Sequence, residues 1–524
     1  MCYNQIVLGG NLVWRVAKLE KIAFIEINNY LAKLIIAETK TNAHFNLITR
    51  RIMPIELGKD FEKDHFFKRP QIEDAIEVLK QFKQTCNMFG VEKTHMYGTF
   101  LSEMRPKNLN SFIDEVYTKC GFKLDVVDEE QQCESLYKAS LGTIESNKAV
   151  SCQIEQDSIR IIQYNRRGVV NSKVFAFGPV SLINSFSKEE YAEESERIDA
   201  IKKYIAHEVS SMDFPEDAKQ LKFIGIGRYF EDLSKMVRKY KKYPFDRAHG
   251  FSMNLADMDY IITQVVAMGL DGTKKLKGLE DGRLDLFVLA LIIMKEIFNK
   301  FETSEVVVSK SGILEGKILG ASIVLNQEKP VLDMIQFGVD GCIMNLDERQ
   351  QRHSKQVEEL ATMIYKELKV VHKLPKGYLK ILKVASAMHD IGYVINYFKH
   401  SKHSAYAILN KEVLGLTHRE QILASFVASL HHGEEMDLAG WIKYQSLFEE
   451  DDASAVKKLG VMLRLAESFD VSMNNVITDV HCDILGDSVI FKTENVLDKT
   501  FEVQEAKGVS KAFEQLFNKR LEIL

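Results

Sequence analysis

Histidines are concentrated in one stretch of this chain: eight of its 14 lie between His353 and His432. Within that stretch, His389 is followed directly by Asp390 at the end of an apolar helical segment. An imidazole nitrogen and a carboxylate oxygen side by side suit a divalent ion used for hydrolysis. This pair therefore predicts a metal centre that draws further ligands from other parts of the chain.

Those further ligands are expected from separate helices. His353 lies in an amphipathic helical pattern, His403 opens a second one, and His431 closes the apolar run 424–430. Helices that carry one ligand each can direct them into the interior of a bundle. His432 faces about 100° away from His431 on a helix, so we expect it beside the ligands or exposed.

The arrangement of these residues resembles the HD phosphohydrolase superfamily. The string HDIGYVINYFKHSKHSAYAIL, which begins at His389, is similar to the C-terminal HD domain of the exopolyphosphatase and guanosine-pentaphosphate phosphatase (Ppx/GppA) family. That family completes its ligand set with an Asp, and Glu467 stands at the matching position with Asp470 almost one turn later. The resemblance therefore implies metal ligation by His353, His389, Asp390, His403, His431 and either Glu467 or Asp470.

The identity of the metal follows from the ligand types. Ligation by several histidines favours Mn²⁺, Fe or Zn²⁺ over Mg²⁺. The alternative is that the histidines cap helices and make structural hydrogen bonds in a domain that has lost its metal.

The order of the predicted elements indicates several domains. With 524 residues the chain is too long for one hydrophobic core. Apolar β-rich runs alternate with helical patterns and then restart, and a repeated βββαβα unit is typical of the sugar kinase, heat-shock chaperone and actin superfamily. We predict an α/β plus α architecture made of actin-like lobe I (1–145), actin-like lobe II (146–325), an all-helical HD domain (326–475) and a small α+β C-terminal segment (476–524).

The predicted strands are short and bounded by turn residues. In lobe I they are 22–27, 32–36, 45–52, 93–97 and 124–127. In lobe II they are 150–154, 158–164, 171–177, 223–227 and 305–309. In the C-terminal segment they are 476–485, 488–493 and 500–506, followed by a helix at 510–518.

The front half also resembles the Ppx/GppA family, but its loops depart from the family's pattern. Glu26 stands where the first loop of the family carries an Asp, and Lys33 matches a basic position. The second phosphate loop of the family corresponds to 153–160, where all three glycines are replaced. Glycine admits positive φ and leaves room for a phosphate, whereas the carboxylates of Glu155 and Asp157 repel one.

The catalytic position of the family aligns with Gln132, and a Gln cannot act as a general base. A shifted register would place Glu130 or Glu134 there instead. The resemblance implies that a working interlobe cleft would use position 132 together with Glu26 for catalysis and bind Mg²⁺. Its phosphate contacts would come from Lys33, Thr99, Arg105 and Ser158.

Composition and charge limit the partners and the location. The net charge is −5, from 69 basic and 74 acidic residues, so no overall basic field attracts nucleic acid or anionic lipid. Seven cysteines without a C-x-x-C pair indicate reduced thiols and a cytoplasmic location. A signal-peptide pattern is absent, and no apolar run approaches the roughly 20 residues of a membrane span.

Three functions stay open on the sequence, each with a polyphosphate or another phosphate-containing molecule as ligand. The first is a degenerate front half with metal-dependent phosphohydrolase chemistry in the HD domain. The second is an active exopolyphosphatase or pppGpp phosphohydrolase that uses Mg²⁺ in the interlobe cleft. The third is a non-enzymatic, metal-stabilised regulator.

The last segment bears on the oligomeric state. About 45 residues are too few for an independent core, so this segment must pack on its own chain or on a partner. Together with the family resemblance, this predicts a homodimer joined through the C-terminal half.

Overall fold

The computed structural model describes residues 2–8, 11–17, 20–39, 45–61, 64–271, 276, 279, 283–325 and 333–524. The chain divides into two units, one at Leu19–Leu332 and the other at Asp333–Leu524 together with Met1–Lys18. The N-terminal piece of the second unit is an antiparallel hairpin of β1 (Cys2–Leu8) and β2 (Asn11–Ala17).

The first sheet of the unit Leu19–Leu332 has five strands in the order β5-β4-β3-β6-β7. They are β3 (Glu20–Ile27), β4 (Leu31–Thr39), β5 (Phe45–Pro54), β6 (Lys93–Gly98) and β7 (Leu124–Val126). Because β3 runs antiparallel to β4 and parallel to β6, the sheet is mixed. All five strands predicted for lobe I are confirmed.

Three helices accompany this sheet: α1 (Arg69–Phe89), α2 (Leu109–Cys120) and α3 (Glu129–Thr143). Pro70 lies in the first turn of α1, and Gly90 ends the helix with a φ of 66°. The buried face of α1, which includes Ile76 and Phe82, joins the core of the sheet. Asp128 caps α3 by accepting a hydrogen bond from the Gln131 backbone N–H, which fixes the start of the helix that carries Gln132.

The second sheet of this unit has six strands in the order β10-β9-β8-β11-β13-β12. The strands are β8 (Lys148–Ile154), β9 (Ile159–Asn165), β10 (Gly168–Phe175), β11 (Lys222–Ile226), β12 (Ser252–Asn254) and β13 (Glu305–Ser309). The helices are α4 (Pro179–Ser185), α5 (Glu194–Ser210), α6 (Arg228–Tyr240), α7 (Leu255–Val266), α8 (Leu284–Phe301) and α9 (Ile313–Leu325). The apolar α8 lies in the core. The five predicted strands are confirmed, and the three-residue β12 is an addition.

The unit that contains Asp333–Leu524 begins with a bundle of helices. They are α10 (Met334–Ile343), α11 (Glu348–Glu367), α12 (Lys369–His372), α13 (Gly377–Ala387), α14 (His400–Asn410), α15 (His418–Ser429), α16 (Leu438–Tyr444) and α17 (Asp452–Ser468). α15 packs against α13, α14 and α17, and α11 packs against α13 and α17. Across the described residues, no helix has both the length and the apolar character needed to cross a membrane.

The bundle is followed by a three-stranded sheet of order β14-β15-β16. Its elements are β14 (Ile477–Leu485), β15 (Ser488–Asn495), α18 (Thr500–Lys507), α19 (Ser510–Phe517) and β16 (Arg520–Ile523). The strand predicted at 500–506 is wrong, because this segment is α18. Its buried residues Glu502, Ala506 and Val509 recur at the helical spacing, and Phe501 of the apparent alternation is exposed.

The C-terminal segment packs inside its own unit. Phe513 of α19 contacts Phe491 of β15 edge-on, and Phe491 contacts Phe469 after α17. The apolar face of α19 is therefore covered without a second chain.

Candidate functional site

The histidines of the bundle come from four positions that meet in its interior. His353 lies within α11, His389 and Asp390 follow α13, and His400 begins α14. His431 and His432 follow α15. Only His432 of this set is exposed to solvent, and the others are buried. Helix ends therefore deliver most of the candidate ligands.

Three of these residues form a first group. The Nε2 atoms of His353 and His389 are 3.2 Å apart. The Asp390 carboxylate lies 3.7 Å from His353 Nε2 and 3.5 Å from His389 Nε2. One atom from each side chain therefore faces a common point, as metal binding requires.

A second group adjoins the first. His400 Nε2 lies 3.0 Å from His431 Nε2 and 2.8 Å from His432 Nε2. Asp390 Oδ1 is 3.2 Å from His400 Nε2 and 3.6 Å from His431 Nε2. Asp390 thus borders both groups, and its Oδ1 makes no well-formed hydrogen bond.

The opposite ring nitrogens of these histidines are held by acceptors. His389 Nδ1 donates to the Ser386 carbonyl at 2.6 Å, and His431 Nδ1 donates to the Ala428 carbonyl at 2.6 Å. His400 Nδ1 donates to the Tyr397 carbonyl at 2.9 Å. A carbonyl oxygen only accepts, so in the neutral rings the hydrogen is on Nδ1 and the Nε2 lone pair points into the centre.

This arrangement fits a metal ion. Two neutral imidazoles whose Nε2 lone pairs face each other at about 3 Å repel, unless a cation or a proton lies near both. Backbone carbonyls behind metal-ligating histidines are the usual means of fixing their tautomer. Imidazole nitrogens with one carboxylate suit Mn²⁺, Fe or Zn²⁺.

The pKa values of His389, His431 and Asp390 are shifted in the directions that favour metal binding. Burial lowers the pKa of His389 to about 4, and burial likewise holds the pKa of His431 well below its ordinary value. Burial alone would raise the pKa of Asp390, but His389 and His400 outweigh it and lower that pKa. At neutral pH these side chains are in the forms that bind metals.

The two acidic residues proposed to complete the ligand set lie in different places. Asp470 Oδ2 accepts from His353 Nδ1 at 2.8 Å, and its Oδ1 accepts from the Asn475 backbone N–H at 2.7 Å. Both oxygens are thus engaged, and Asp470 orients His353 from behind. Glu467 instead lies 3.7 Å from His432 Nδ1, and burial raises the pKa of Glu467 well above its usual range.

One histidine does not lie where the sequence places it. His403 lies outside both groups, half-exposed on α14, and His400 takes the place expected for it. The reason is that α14 begins at His400, one turn before the predicted start. His432 was expected beside the ligands or exposed; it is exposed, and its Nε2 is also part of the second group.

A close contact between the Asp390 turn and α14 brings the two groups together. The Gly392 backbone N–H donates to Ser404 Oγ at 2.8 Å. A Cβ on Gly392 would lie 2.4 Å from the His400 carbonyl oxygen, so only glycine permits this approach. Gly392 and Ser404, which carried the family resemblance in the sequence, therefore also determine how the Asp390 turn packs against α14.

The second candidate site lies in the unit Leu19–Leu332, at the turn 155–158 between β8 and β9. The Glu155 backbone N–H donates to the Ser158 carbonyl at 2.8 Å, which closes the turn. No residue of this turn has positive φ. It is a compact turn and does not have the open backbone of a glycine-rich phosphate loop.

The carboxylate of Glu155 is surrounded by cationic and amide donors of the kind that bind an anion. Lys33 Nζ is 3.2 Å from Glu155 Oε1, and Asn28 Nδ2 donates to Glu155 Oε2 at 3.3 Å. Gln153 Nε2 donates to Glu155 Oε1 at 3.3 Å, and Arg160 Nη1 is 3.5 Å from Oε2. Burial would raise the pKa of Glu155, but Lys33 and Arg160 outweigh it and keep the group charged.

The position of the family's catalytic Glu is fully engaged in structural hydrogen bonds. Gln132 is buried, its Nε2 donates to the Val127 carbonyl at 2.7 Å, and its Oε1 accepts from Arg160 Nε at 2.9 Å. The donation to Val127 requires an amide. Gln132 therefore stabilises Arg160 within the Glu155 network.

The remaining predicted residues of this site divide into buried and exposed ones. Glu26 pairs with Lys33 at 3.3 Å and accepts from Thr99 Oγ1 at 3.2 Å, and burial raises the pKa of Glu26. Ser158 Oγ accepts from Arg160 Nη1 at 2.9 Å. Arg105 is exposed and lies outside this network.

A cavity of about 300 Å³ adjoins the Glu155 network. Its lining includes five cationic residues, namely Lys33, Arg50, Arg228, Arg283 and Lys310. Carboxylates from Glu155, Glu231, Asp232 and Glu315 also line it, so the local charge is mixed.

Both sites fall within regions that match a known family. The sequence model of the Ppx/GppA phosphatase family matches residues 35–323, and that of domain III of the Ppx/GppA phosphatase matches residues 344–509. The chain belongs to the Ppx/GppA phosphatase family. Gln132, Glu155 and Arg160 of the Glu155 network lie in the first match, whereas Lys33 lies just before it; the histidine groups lie in the second match.

The chain is also similar to curated bacterial proteins. The bifunctional 3-dehydroquinate synthase/phosphatase of Fusobacterium nucleatum is 23% identical over 309 residues, which are 57% of this chain and 46% of that protein. This chain therefore spans about half the length of that relative. The guanosine-5'-triphosphate,3'-diphosphate pyrophosphatase of Aeromonas hydrophila is 21% identical over 72% of this chain and 74% of its own length.

A solved Ppx/GppA structure shares the fold. The Aquifex aeolicus family member superposes with a TM-score of 0.50 at 20% identity, over 60% of this chain and 100% of that chain. Ppx/GppA membership supports an exopolyphosphatase-like or GppA-like function, and the choice of site depends on the chemistry of the residues.

Proposed function

We propose that this protein is a metal-dependent phosphohydrolase whose catalytic centre is an HD-type site formed by the two histidine groups. The observation that carries the proposal is the convergence of Nε2 atoms on Asp390, which lies 3.2 Å from His400 and 3.5 Å from His389. The first group would hold one ion and the second group another, with Asp390 between them.

A bound ion supplies a water of lowered pKa and a positive charge that polarises a phosphoryl oxygen. The protein positions the other participants. Asp470 keeps His353 in the tautomer and orientation that face the centre. Burial raises the pKa of Glu467 well above its usual range, which favours the protonated carboxyl that a general acid needs in order to protonate a leaving oxygen.

The interlobe cleft is proposed to be inactive for hydrolysis. A general base is missing at Gln132, whose amide is fixed by Val127 and Arg160. The Glu155 carboxylate takes the cationic and amide contacts that a phosphate would need. Entry of a polyphosphate there would first require displacing a buried charge.

An active exopolyphosphatase in the cleft is the second candidate, favoured by the five cations that line the cavity and by the family match over 35–323. Metal-stripped protein reloaded with Mn²⁺, Fe²⁺ or Mg²⁺ separates the candidates. It is assayed on polyphosphate, on guanosine nucleotides and on a generic phosphodiester. Turnover only with Mn²⁺ or Fe²⁺ supports the histidine centre, turnover with Mg²⁺ alone supports the cleft, and metal uptake without turnover supports a regulator.

Phosphate release is predicted to depend on the histidine centre and not on the cleft. The His389→Ala/Asp390→Ala protein, in which only the cleft is intact, should release phosphate from polyphosphate with Mg²⁺ at no more than the background rate. The reason is that the cleft has Gln132 in place of a general base, and the lack of a base costs about 10²–10⁴-fold in rate. Gln132→Met, which removes the family's catalytic position at similar volume, should leave the activity of the metal-loaded protein unchanged. Robust Mg²⁺-dependent release by the double variant would contradict this prediction.

The protein is proposed to be a homodimer. Leu497 and Phe501 of the C-terminal segment are 60% and 54% exposed, and apolar side chains of this size favour burial against a partner. Light scattering at micromolar concentration should give twice the 60.0 kDa of one chain, and Phe501→Lys should lower that mass. A wild-type mass that stays at 60.0 kDa when the sample is concentrated would exclude the dimer.

A further inference from the structure

An arginine lies next to the second histidine group. Arg464 is on α17, one turn before Glu467, and is half-buried. Its guanidinium packs against Gly433, which directly follows His432: a Cβ on Gly433 would lie 2.6 Å from Arg464 Nη1. Gly433 has a φ of +86°, a backbone conformation that favours glycine.

This guanidinium has no direct partner, and its charge acts on the nearby Glu467 carboxyl, whose pKa it lowers against the effect of burial. Within the described part of the chain, Arg464 makes no side-chain hydrogen bond and no ion pair. Arg419, which is also half-buried, is paired: its Nη2 lies 2.6 Å from Asp452 Oδ1. The five donors of Arg464 are instead available to a ligand that carries several acceptors.

The charge of Arg464 points to the kind of ligand. A cation beside a centre that binds cations is repelled by them, unless an anion lies between the two. A phosphoryl group meets both conditions, since its non-bridging oxygens accept two parallel hydrogen bonds from a guanidinium and also face metal ions. Lysine would supply the charge without the paired geometry.

We propose that Arg464 binds the phosphoryl group of the substrate at the histidine centre. This deepens the proposed function and rests on it. The substrate class is then a phosphate ester or anhydride whose phosphoryl group has at least two free non-bridging oxygens. Gly433 is a positioning residue that leaves room for the guanidinium.

Calorimetric titration of inorganic phosphate into the Mn²⁺-loaded full chain tests the proposal. Arg464→Gln should raise the Kd of phosphate about tenfold or more, because hydrogen bonds to a charged group are lost. Arg464→Lys should raise it less. The matched control is Lys457→Gln, an exposed cation on the same helix, which should bind phosphate as the wild type does. Metal content, measured by elemental analysis, should be equal in all four proteins.

The readouts separate two kinds of failure. If the wild type takes up metal and Arg464→Gln keeps both its metal and the wild-type Kd for phosphate, the role of Arg464 is overturned and the metal centre stands. If the metal-loaded wild type binds no phosphate, the role is likewise overturned. If the wild type takes up no metal, the proposed function fails and the role of Arg464 fails with it.

Discussion

Replacing His389 and Asp390 together by alanine is expected to abolish metal uptake by the purified protein. His389 belongs to the first histidine group and Asp390 borders both, so the double variant removes ligands from each. We expect elemental analysis to find about two ions per chain in the wild type and close to none in the variant. Equal metal content in the two proteins would refute the proposed centre.

Two pairs of variants sharpen this test. His400→Ala should reduce metal content, whereas His403→Ala, three residues later on the same helix, should not, because His403 lies outside both groups. Asp470→Asn should lower metal affinity by about 10–100-fold, since it weakens the group that orients His353 without removing a ligand. If His403→Ala lost more metal than His400→Ala, then His403 would be the ligand, as the family pattern predicts, and the second histidine group would be wrong.

Lys33→Met is expected to destabilise the unit Leu19–Leu332 strongly. Lys33 neutralises two buried carboxylates, Glu26 at 3.3 Å and Glu155 at 3.2 Å, and is itself 15% exposed. Removing one member of such a cluster leaves an uncompensated buried charge, which costs about 3 kcal/mol or more in the free energy of unfolding. Urea denaturation of wild type and variant measures the loss.

A control variant and a rescue variant complete this test. Lys93→Met, in the same sheet as Lys33, removes an exposed pair with Glu20 and should cost about 1 kcal/mol or less. Lys33→Met combined with Glu155→Gln should recover part of the stability, because one of the two carboxylates left without Lys33 is then neutral. If Lys33→Met were no worse than Lys93→Met, the Glu155 carboxylate would not be held as an internal anion.

The sequence predicted strands better than it predicted side-chain partners. Apolar β-rich runs located all ten strands of the unit Leu19–Leu332 that were predicted, because strands such as β8 and β9 are buried on both faces. A short apolar alternation at Phe501 and Val503 misled, because helical burial of Glu502 and Ala506 prevails there. Alternation over few residues does not distinguish a strand from a helix with an exposed apolar residue.

The candidate centre was located by sequence to within one helical turn. The pattern named His353, His389, Asp390 and His431, and the structure brings these together. It chose His403 over His400 because the start of α14 depends on the contact of Gly392 with Ser404, which is tertiary. The sequence pattern left Glu467 and Asp470 as alternative ligands. In the structure Asp470 contacts His353 and Glu467 lies near His432, and the sequence does not show which histidine each carboxyl faces.

The Glu155 network could not be predicted from the sequence. Lys33 and Glu155 are 122 residues apart, and Asn29 and Asp157 are 128 apart. The loss of glycines showed only that a phosphate loop was altered. That a carboxylate replaces the ligand follows from tertiary packing, which brings Lys33 and Asn28 of the first sheet to Glu155 after β8 of the second sheet.

The turn 155–158 also affects the unfolded chain. Non-glycine residues that adopt negative φ lose less backbone entropy on folding than glycines do, a gain of about 0.4–1 kcal/mol per position. Over Glu155, Gln156 and Asp157 this amounts to roughly 1–3 kcal/mol. Returning these positions to glycine would therefore lower stability before it restored any phosphate binding, and this opposes a reversal of the change in evolution.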